Sequence, residues 1–217
     1  MEYPKIETLW TRDEHTFRVK PGELRLPEFG LPRSWLITEK IDGTNIRITL
    51  RPKLEPPDLL SYGGRTNAAQ VPLVVSECLS RVFPFALVAS AFDPDTSAIL
   101  YGEAYGPEIQ KGGVYRGDIA VRLLDVVVFG GDGRPWWLNW ANVEDVARKL
   151  GVKTVPVVAR EVSLDDAANL VSKPSVVAQE DGGVGCDWEG IVARTDPLLF
   201  MRTGGRVMWK LKRKDYR

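Results

Sequence analysis

The sequence predicts an α+β fold. Segments of alternating or β-branched residues, each of strand length and bounded by Gly, Pro or Asp, recur along the chain. Helical patterns lie between some of these segments, but strands outnumber helices and the two do not alternate regularly. A doubly wound parallel sheet requires regular alternation. The order of the elements therefore favours α+β over that class.

The predicted elements follow one another as separate segments. Strands are predicted at 35–40, 45–51, 98–106, 119–129, 154–162, 189–195 and 206–213. Helices are predicted at 140–150, between an Asn N-cap and a Gly stop, at 163–171, which opens with Ser and two aspartates, and, from a weaker pattern, at 72–82. Residues 51–58 and the glycine-rich 179–185 are predicted loops. Because no linker divides the chain, we expect a single domain over residues 1–217.

The composition excludes several classes of protein. A chain of 217 residues that is 44% hydrophobic and 27% charged is globular rather than disordered. No apolar run approaches the roughly 18 residues of a membrane span, and the N-terminus lacks a secretory signal pattern. Cys78 and Cys186 lack metal-ligand spacing, and His15 is the only histidine, which makes a zinc site or histidine-based catalysis improbable. We expect a reducing, cytoplasmic location and no membrane partner.

The formal net charge of zero hides a basic C-terminal end. Residues 201–217 carry seven Lys or Arg against one Asp, a balance of 7 − 1 = +6, so the remaining 200 residues sum to −6. A basic end on an acidic body indicates an anionic partner at one place, and the alternative is a solvated tail.

The segment that carries most chemical information is Glu39-Lys40-Ile41-Asp42-Gly43-Thr44-Asn45. Strand patterns flank it, and Asp42-Gly43 is typical of a turn. By itself it is equally a hairpin with an exposed lysine. Four further segments follow it in order: Tyr62-Gly63-Gly64-Arg65-Thr66, Tyr101-Gly102-Glu103-Ala104-Tyr105-Gly106, Trp188-Glu189-Gly190-Ile191-Val192-Ala193-Arg194 and Trp209-Lys210-Leu211-Lys212.

This ordered set resembles motifs I, Ia, III, IV and V of the covalent nucleotidyltransferases, which include ATP-dependent DNA and RNA ligases and mRNA capping enzymes. GPEIQKGGVYRGD at 106–118, followed by LLDVVVF, resembles the segment between motifs III and IIIa of RNA ligases of the RNA ligase 2 and RNA-editing type. The resemblance spans residues 39–212. It implies a nucleotidyltransferase (ATP-grasp-like) domain of mainly antiparallel sheets with flanking helices.

The chemistry of the lysines agrees with this resemblance. A lysine that attacks phosphorus must be neutral, whereas a free lysine has a pKa of about 10.4. Desolvation and nearby cations favour the neutral amine. On a strand, the spacing of Lys210 and Lys212 puts both ammonium groups on one face, with Trp209 and Leu211 on the other. The positive charges of this pair can lower the pKa of a nearby lysine, and they can bind phosphates. The alternative is that the strand lies at the edge of a sheet, where its lysines prevent pairing with another chain.

The resemblance implies a role for each site residue. Lys40 is implied to be the residue that becomes adenylylated. Glu39 is implied to read the adenine edge, Arg65 and Glu103 to contact the sugar, and Lys210 and Lys212 to bind the phosphates. The other residues implied to bind nucleotide are Asn45, at the 5′-phosphate end or adenylate, Leu124 and Glu189. Asn45 and Arg194 are implied at the nucleic-acid end. Glu103 and Glu189 are the expected ligands of Mg²⁺ or Mn²⁺.

The pattern departs from the family in three places. Leu124 stands where RNA ligase 2 relatives usually have a phenylalanine that stacks on adenine, so the base is covered without ring stacking. Asp42 stands where that group often has His, which moves the motif toward the wider superfamily. The chain stops five residues after Lys212. We therefore expect no C-terminal OB-fold in this chain. The alternatives are a minimal ligase, a chain trimmed to its nucleotidyltransferase domain, and an enzyme whose RNA-binding domain comes from a partner protein.

These observations predict an ATP-dependent RNA ligase of the RNA-repair type. It would form a lysine–AMP intermediate, transfer AMP to an RNA 5′-phosphate end and seal that end to a 3′-hydroxyl, with ATP and Mg²⁺ as cofactors. The alternatives are a GTP-dependent capping-type guanylyltransferase and a non-catalytic module that binds RNA ends.

Overall fold

The computed structural model describes residues 1–55 and 58–216. The predicted loop at 51–58 and the basic C-terminal end therefore each include positions, 56–57 and 217, that lie outside the described residues. In chain order the strands are β1 Glu7–Thr8, β2 Trp10–Arg12, β3 Val19–Leu24, β4 Trp35–Lys40, β5 Thr44–Leu50, β6 Leu60–Gly64, β7 Ser97–Tyr105, β8 Ala120–Phe129, β9 Pro135–Trp137, β10 Lys153–Thr154, β11 Val157–Val162, β12 Gly190–Arg194 and β13 Met208–Lys212. The helices are α1 Leu73–Val82, α2 Phe85–Ser90, α3 Trp140–Lys149, α4 Leu164–Asn169 and α5 Val176–Asp181.

The α+β class with mainly antiparallel sheets is confirmed. The chain divides into two compact units, one formed by residues 1–3 and 43–154 and the other by residues 4–42 and 155–217. That they form a single domain stays a prediction. None of the helices in the described ranges is long and apolar enough to cross a bilayer.

The unit of residues 4–42 and 155–217 is built on a five-stranded sheet with the order β1-β13-β12-β4-β11. β12 pairs antiparallel with both β4 and β13, whereas β1 runs parallel to β13. Successive side chains of a strand point to opposite faces of the sheet. One face is apolar and carries the core of this unit, with Trp35, Ile37, Ile191, Ala193, Trp209 and Leu211. The residues that alternate with them form the opposite face, which we call the polar face. It carries Thr38, Lys40, Arg194, Lys210 and Lys212 together with the apolar Leu36, Val192 and Met208.

The unit of residues 1–3 and 43–154 contains a six-stranded sheet. Its order is β10-β8-β7-β5-β6, and β9 pairs with β8. All pairs are antiparallel except β10 with β8. α3 contacts β8 and β10, and its buried face is Trp140, Val143, Val146 and Ala147. It begins where predicted, because the Asn139 side chain accepts a hydrogen bond from the Asn142 amide.

Several elements differ from the sequence-based expectation. The strand predicted at 154–162 is two strands, β10 and β11, which join different sheets on either side of Pro156. Proline lacks the amide that a continuous ladder requires. The predicted loop at 179–185 is wrong for residues 179–181, which end α5, and its left-handed cap is Gly182 (φ 73°). The hairpin interpretation of the Asp42-Gly43 turn is also wrong, since β4 and β5 belong to different sheets.

Candidate active site

The Glu189 carboxylate lies between two lysines on the polar face of the five-stranded sheet. Its Oε2 is 2.5 Å from Lys40 Nζ and its Oε1 is 2.6 Å from Lys212 Nζ. The register of the strands brings these three side chains together, because Gly190 at the start of β12 pairs with Lys40 at the end of β4 and with Lys212 at the end of β13. Three residues that are distant in the sequence thus converge at one end of three neighbouring strands.

Gly190 is the residue that permits this close approach. A Cβ atom at this position would lie 2.0 Å from the Leu211 carbonyl oxygen, a distance that no side chain could accept. The residue next to Glu189 therefore has to be glycine for β12 and β13 to keep this spacing.

The charge state of Glu189 follows from its two neighbours. Burial acts to raise the pKa of the Glu189 carboxyl, but the charges and hydrogen bonds of Lys40 and Lys212 outweigh it and leave that pKa below its usual range. The carboxylate is therefore ionised at neutral pH. The same ion pair favours the protonated form of Lys40, so a nucleophilic Lys40 amine requires this negative charge to be offset.

Lys210 lies on the same face, two residues before Lys212 on β13, as predicted from the strand period. Its ammonium group is half-buried and has no hydrogen-bond or ion-pair partner among residues 1–55 and 58–216. Burial lowers the pKa of Lys210, and the nearby charges of Lys40 and Lys212 lower it further. Lys40 therefore has a second cation, Lys210, close enough to interact with it electrostatically, which is the arrangement of charges that the sequence argument required near Lys40.

Glu39 points to the apolar face, away from its neighbour Lys40. Its Oε1 accepts a 2.5 Å hydrogen bond from Ser175 Oγ, and its Oε2 accepts hydrogen bonds from the Val176 and Val177 amides at 2.8 and 3.1 Å. These donors form the start of α5, whose N-cap is Ser175. The adenine contact implied for Glu39 stays a prediction, and Glu39 would make it in addition to these three hydrogen bonds.

Arg194 is almost wholly buried, with 3% of its surface exposed, and pairs with Leu36 and Met208. Even spacing along β4 and β13 puts it on the face of Lys40 and Lys210. Because Arg194 is five residues after Glu189, strict alternation along one strand predicts that their side chains lie on opposite faces. Glu189 precedes β12, so the alternation of that strand does not determine where the Glu189 side chain points. The contact of Arg194 with a nucleic-acid end stays a prediction, and its burial leaves little side chain for RNA to touch.

In the other unit, Asn45 and Arg65 line one cavity of about 230 Å³, beside Gly43 and Gly64. Within the described residues, the Asn45 Oδ1 atom is buried without a hydrogen-bond partner, and the Arg65 guanidinium has no polar partner. Both residues line this cavity, and the Arg65 guanidinium there suits a ligand with anionic oxygens.

Glu103 and Leu124 are placed by β7 and β8. Glu103 is directly opposite Asn45 on β5 and Arg122 on β8. Leu124 is the extra residue of a β-bulge, since Leu123 pairs with Gly102 and Asp125 with Tyr101. The bulge turns Leu124 partly outward while Asp125 stays buried, where it accepts a hydrogen bond from the Tyr3 hydroxyl. The sequence shows no signal for this bulge.

The predicted metal ligands lie in different units, Glu189 in one and Glu103 in the other. Across residues 1–55 and 58–216, no group of three or more His, Cys, Asp or Glu side chains could hold a metal ion. Each unit thus offers a single predicted carboxylate.

Known RNA ligases resemble this chain in sequence pattern and in fold. A family model described as RNA ligase matches residues 33–212. No curated protein sequence shows significant similarity to the chain. Among solved structures, an RNA ligase mutant from Naegleria gruberi with ATP and Mn is similar with a TM-score of 0.66 and 14% identity, over 100% of this chain and 57% of that one.

Two further structures of the Naegleria gruberi RNA ligase are also similar. The protein with PPi has a TM-score of 0.63 and 16% identity, over 99% of this chain and 62% of that chain. A mutant with AMP and Mn has a TM-score of 0.62 and 16% identity, over 98% and 62%. The chain therefore spans less than two thirds of the length of these structures, and at this identity the likeness shows the fold.

Proposed function

The chain belongs to the RNA ligase family, and from that premise we propose that it is an ATP-dependent RNA ligase that works through a Lys40–AMP intermediate. The observation that carries the proposal is the meeting of Lys40, Glu189 and Lys212 at the ends of three strands. Beside them lies the ammonium of Lys210, which has no hydrogen-bond or ion-pair partner within the described residues. One amine to attack phosphorus and two cations to hold phosphates are what this chemistry requires.

In the first step, the neutral Lys40 amine attacks the α-phosphorus of ATP. The N–P bond forms, the bond from the α-phosphorus to the bridging oxygen breaks, and pyrophosphate leaves with that electron pair. The amine's proton is released to solvent. Lys210 and Lys212 offset the charge that develops on the leaving oxygens, because their ammonium groups already lie on the face of Lys40.

In the second step, an oxygen of an RNA 5′-phosphate attacks the phosphorus of the adenylate, and the bond to Lys40 breaks. In the third, an RNA 3′-hydroxyl oxygen attacks the 5′-phosphorus, AMP leaves, and the hydroxyl proton passes to solvent. Asn45 and Arg65 are the groups that we assign to the sugar and the 5′-phosphate end, since they line one cavity. Glu103 is assigned to the nucleotide sugar, Leu124 to the adenine and Arg194 to the RNA end.

A divalent cation, Mg²⁺ or Mn²⁺, fits the donor chemistry of Glu189. Mg²⁺ in phosphate sites is commonly held by one or two carboxylates together with substrate oxygens and water, so a single carboxylate is sufficient. When bound, such an ion supplies positive charge that offsets the phosphates. The remaining candidate ligand is Glu103. The Naegleria gruberi RNA ligase, similar in fold, has been solved with ATP and Mn, which supports this assignment.

The natural partners follow from the same proposal. RNA 5′-phosphate and 3′-hydroxyl ends are the proposed substrates, together with ATP. We place the protein in the cytoplasm, where RNA ends and ATP are both available.

The test is transfer of label from α-³²P-ATP to the protein in Mg²⁺, resolved on a denaturing gel. Lys40→Ala should abolish labelling, whereas Lys173→Ala, an exposed lysine of the same unit, should leave it unchanged. Label from GTP and none from ATP would instead support a capping-type guanylyltransferase. No label from either nucleotide in folded protein would overturn the enzyme proposal in favour of a non-catalytic RNA-end-binding module.

A further inference from the structure

Tyr3 connects two segments of the unit of residues 1–3 and 43–154, and each segment carries an implied nucleotide contact. It precedes residues 33–212, the part of the chain that the family model matches. Only 7% of its surface is exposed. The centroid of its ring lies 4.8 Å from that of Tyr101 and 6.3 Å from that of Trp137. This packing fixes the direction of the Tyr3 hydroxyl, although the first residues of a chain are usually poorly ordered unless they are tied down.

The Tyr3 hydroxyl donates a hydrogen bond to the Asp125 carboxylate, which is fully buried. Asp125 pairs with Tyr101 and directly follows Leu124, the extra residue of the bulge in β8. Because neighbouring residues of a strand point to opposite faces, an Asp125 side chain held inside the unit leaves Leu124 directed outward. The Tyr3 hydroxyl therefore helps to set the orientation of the residue that is assigned to the adenine.

The backbone of Tyr3 holds the turn that carries Arg65. β6 ends at Gly64, so Arg65 lies beyond the last residue of that strand. The Tyr3 amide donates to the Arg65 carbonyl at 3.1 Å, which is a backbone hydrogen bond that the sheet itself does not supply. Two residues later, the Asn67 amide donates to Glu2 Oε1 at 2.7 Å. Two adjacent residues, Glu2 and Tyr3, thus secure this turn.

Further contacts fix residues 1–3 on the sheet. The Met1 carbonyl accepts hydrogen bonds from the Tyr101 hydroxyl at 2.9 Å and from Arg47 Nη1 at 3.3 Å. Arg47 Nη2 also donates to Asn67 Oδ1 at 2.6 Å. Arg47 on β5 and Tyr101 on β7 are directly opposite each other in the ladder of these two interior strands. Residues 1–3 are therefore attached to ordered backbone, and they can pass that order on to the turn and to the bulge.

We propose that Tyr3 is a positioning residue for nucleotide binding. Through its amide it places Arg65, which contacts the sugar or the 5′-phosphate end. Through Asp125 it places Leu124, which covers the adenine. The two contacts are thereby held at a fixed separation, and a nucleotide does not have to order them when it binds. The inference rests on the proposed function, because the assignments of Arg65 and Leu124 are taken from it.

The test is calorimetric titration of the full chain with AMP, which carries the adenine, the sugar and one phosphate. Tyr3→Phe keeps the ring and the amide and removes only the hydroxyl that holds Asp125. It should raise the dissociation constant of AMP roughly threefold to tenfold, the size of effect that mutations between coupled positions produce. Tyr62→Phe is the matched control, because the Tyr62 hydroxyl also donates a hydrogen bond within this unit, to the Phe83 carbonyl at 2.9 Å. The control should leave AMP binding unchanged.

A second readout separates positioning from a general loss of stability. In labelling with α-³²P-ATP, Tyr3→Phe should raise KM by a similar factor and change kcat by less than about twofold, because it alters no group that makes or breaks a bond. Asp125→Asn should also weaken AMP binding. The double variant should bind AMP no more weakly than the weaker of the two single variants, since both changes act on the same hydrogen bond.

The inference is overturned if Tyr3→Phe and Tyr62→Phe bind AMP equally, if the loss lies in kcat alone, or if the effects of Tyr3→Phe and Asp125→Asn are fully additive. It is also overturned if wild type binds no AMP. Wild type that binds AMP but takes no label from ATP would overturn the adenylylation proposal, and weaker AMP binding by Tyr3→Phe would still support this inference. Failure of the proposed function and failure of this inference therefore give different results.

Discussion

Glu189 and Lys40 lie 149 residues apart in the sequence, yet the Glu189 Oε2 and Lys40 Nζ atoms are 2.5 Å apart. Lys212 approaches the other carboxylate oxygen, so one negative charge is shared by two ammonium groups. The shared carboxylate offsets the repulsion between the two ammonium groups at this end of the sheet.

Glu189→Gln should destabilise the protein by about 1–3 kcal/mol, because it leaves Lys40 and Lys212 facing each other without a counter-charge. Urea denaturation monitored by tryptophan fluorescence measures this. Glu23→Gln, on the exposed part of β3, is the control and should change the free energy of unfolding by less than about 0.5 kcal/mol. Equal stability of the two variants would contradict the structural role of the ion pair.

The pH dependence of stability should carry the signature of Glu189. Its pKa is lowered in the folded protein, so its stabilising contribution is present above the unfolded-state pKa of about 4.3 and is lost as the pH falls through the lower folded value. Denaturation midpoints measured from pH 7 down to pH 3 should fall more steeply for wild type than for Glu189→Gln. Parallel curves would show that the carboxylate titrates normally.

Lys210→Met should raise the melting temperature at neutral pH while it weakens adenylylation. The pKa of Lys210 is lowered by burial and by Lys40 and Lys212, so the unfolded chain binds its proton more tightly than the folded chain. Protonated Lys210 therefore costs stability, and this cost disappears as the pH rises above the unfolded-state pKa of about 10.4. Melting curves at pH 7 and pH 10.5 should show a difference between variant and wild type that shrinks at the higher pH. A variant less stable than wild type at pH 7 would contradict this argument.

Glu39→Ala should cost about 2–4 kcal/mol, because it removes a buried carboxylate that accepts three hydrogen bonds at the start of α5. Ser175→Ala removes the N-cap and one of these bonds and should cost about 1–2 kcal/mol. Hydrogen exchange of the Val176 and Val177 amides should accelerate most in Glu39→Ala. Unchanged exchange there would show that the carboxylate does not hold the helix.

Gly190→Ala should destabilise the protein by about 2–4 kcal/mol, because the added methyl group would force β12 away from the Leu211 carbonyl. Gly205→Ala is the matched control in the same unit, since a Cβ there would meet only the Thr203 hydroxyl at 3.8 Å. Thermal melts of both variants test this, and a harmless Gly190→Ala would show that the two strands can separate without cost.

Much of the fold could be predicted because its strands carry local signals. The segment WLITEK coincides with β4, and Asn139 caps α3 as expected. The missed elements lack such signals. α5 is only six residues long and is followed by a glycine-rich stretch typical of loops, and its start depends on Glu39, more than a hundred residues away.

By itself the sequence determined the strand period, and with it the shared face of Lys210 and Lys212, since successive side chains on a strand alternate. It also supplied the ordered motifs around Lys40, Asn45, Arg65 and Glu189. Only the tertiary structure decided that Glu189 contacts Lys40 and Lys212, and that a bulge turns Leu124 partly outward. The reason is physical. Pairing and register depend on hydrogen bonds and core packing between distant segments, and local sequence does not encode them.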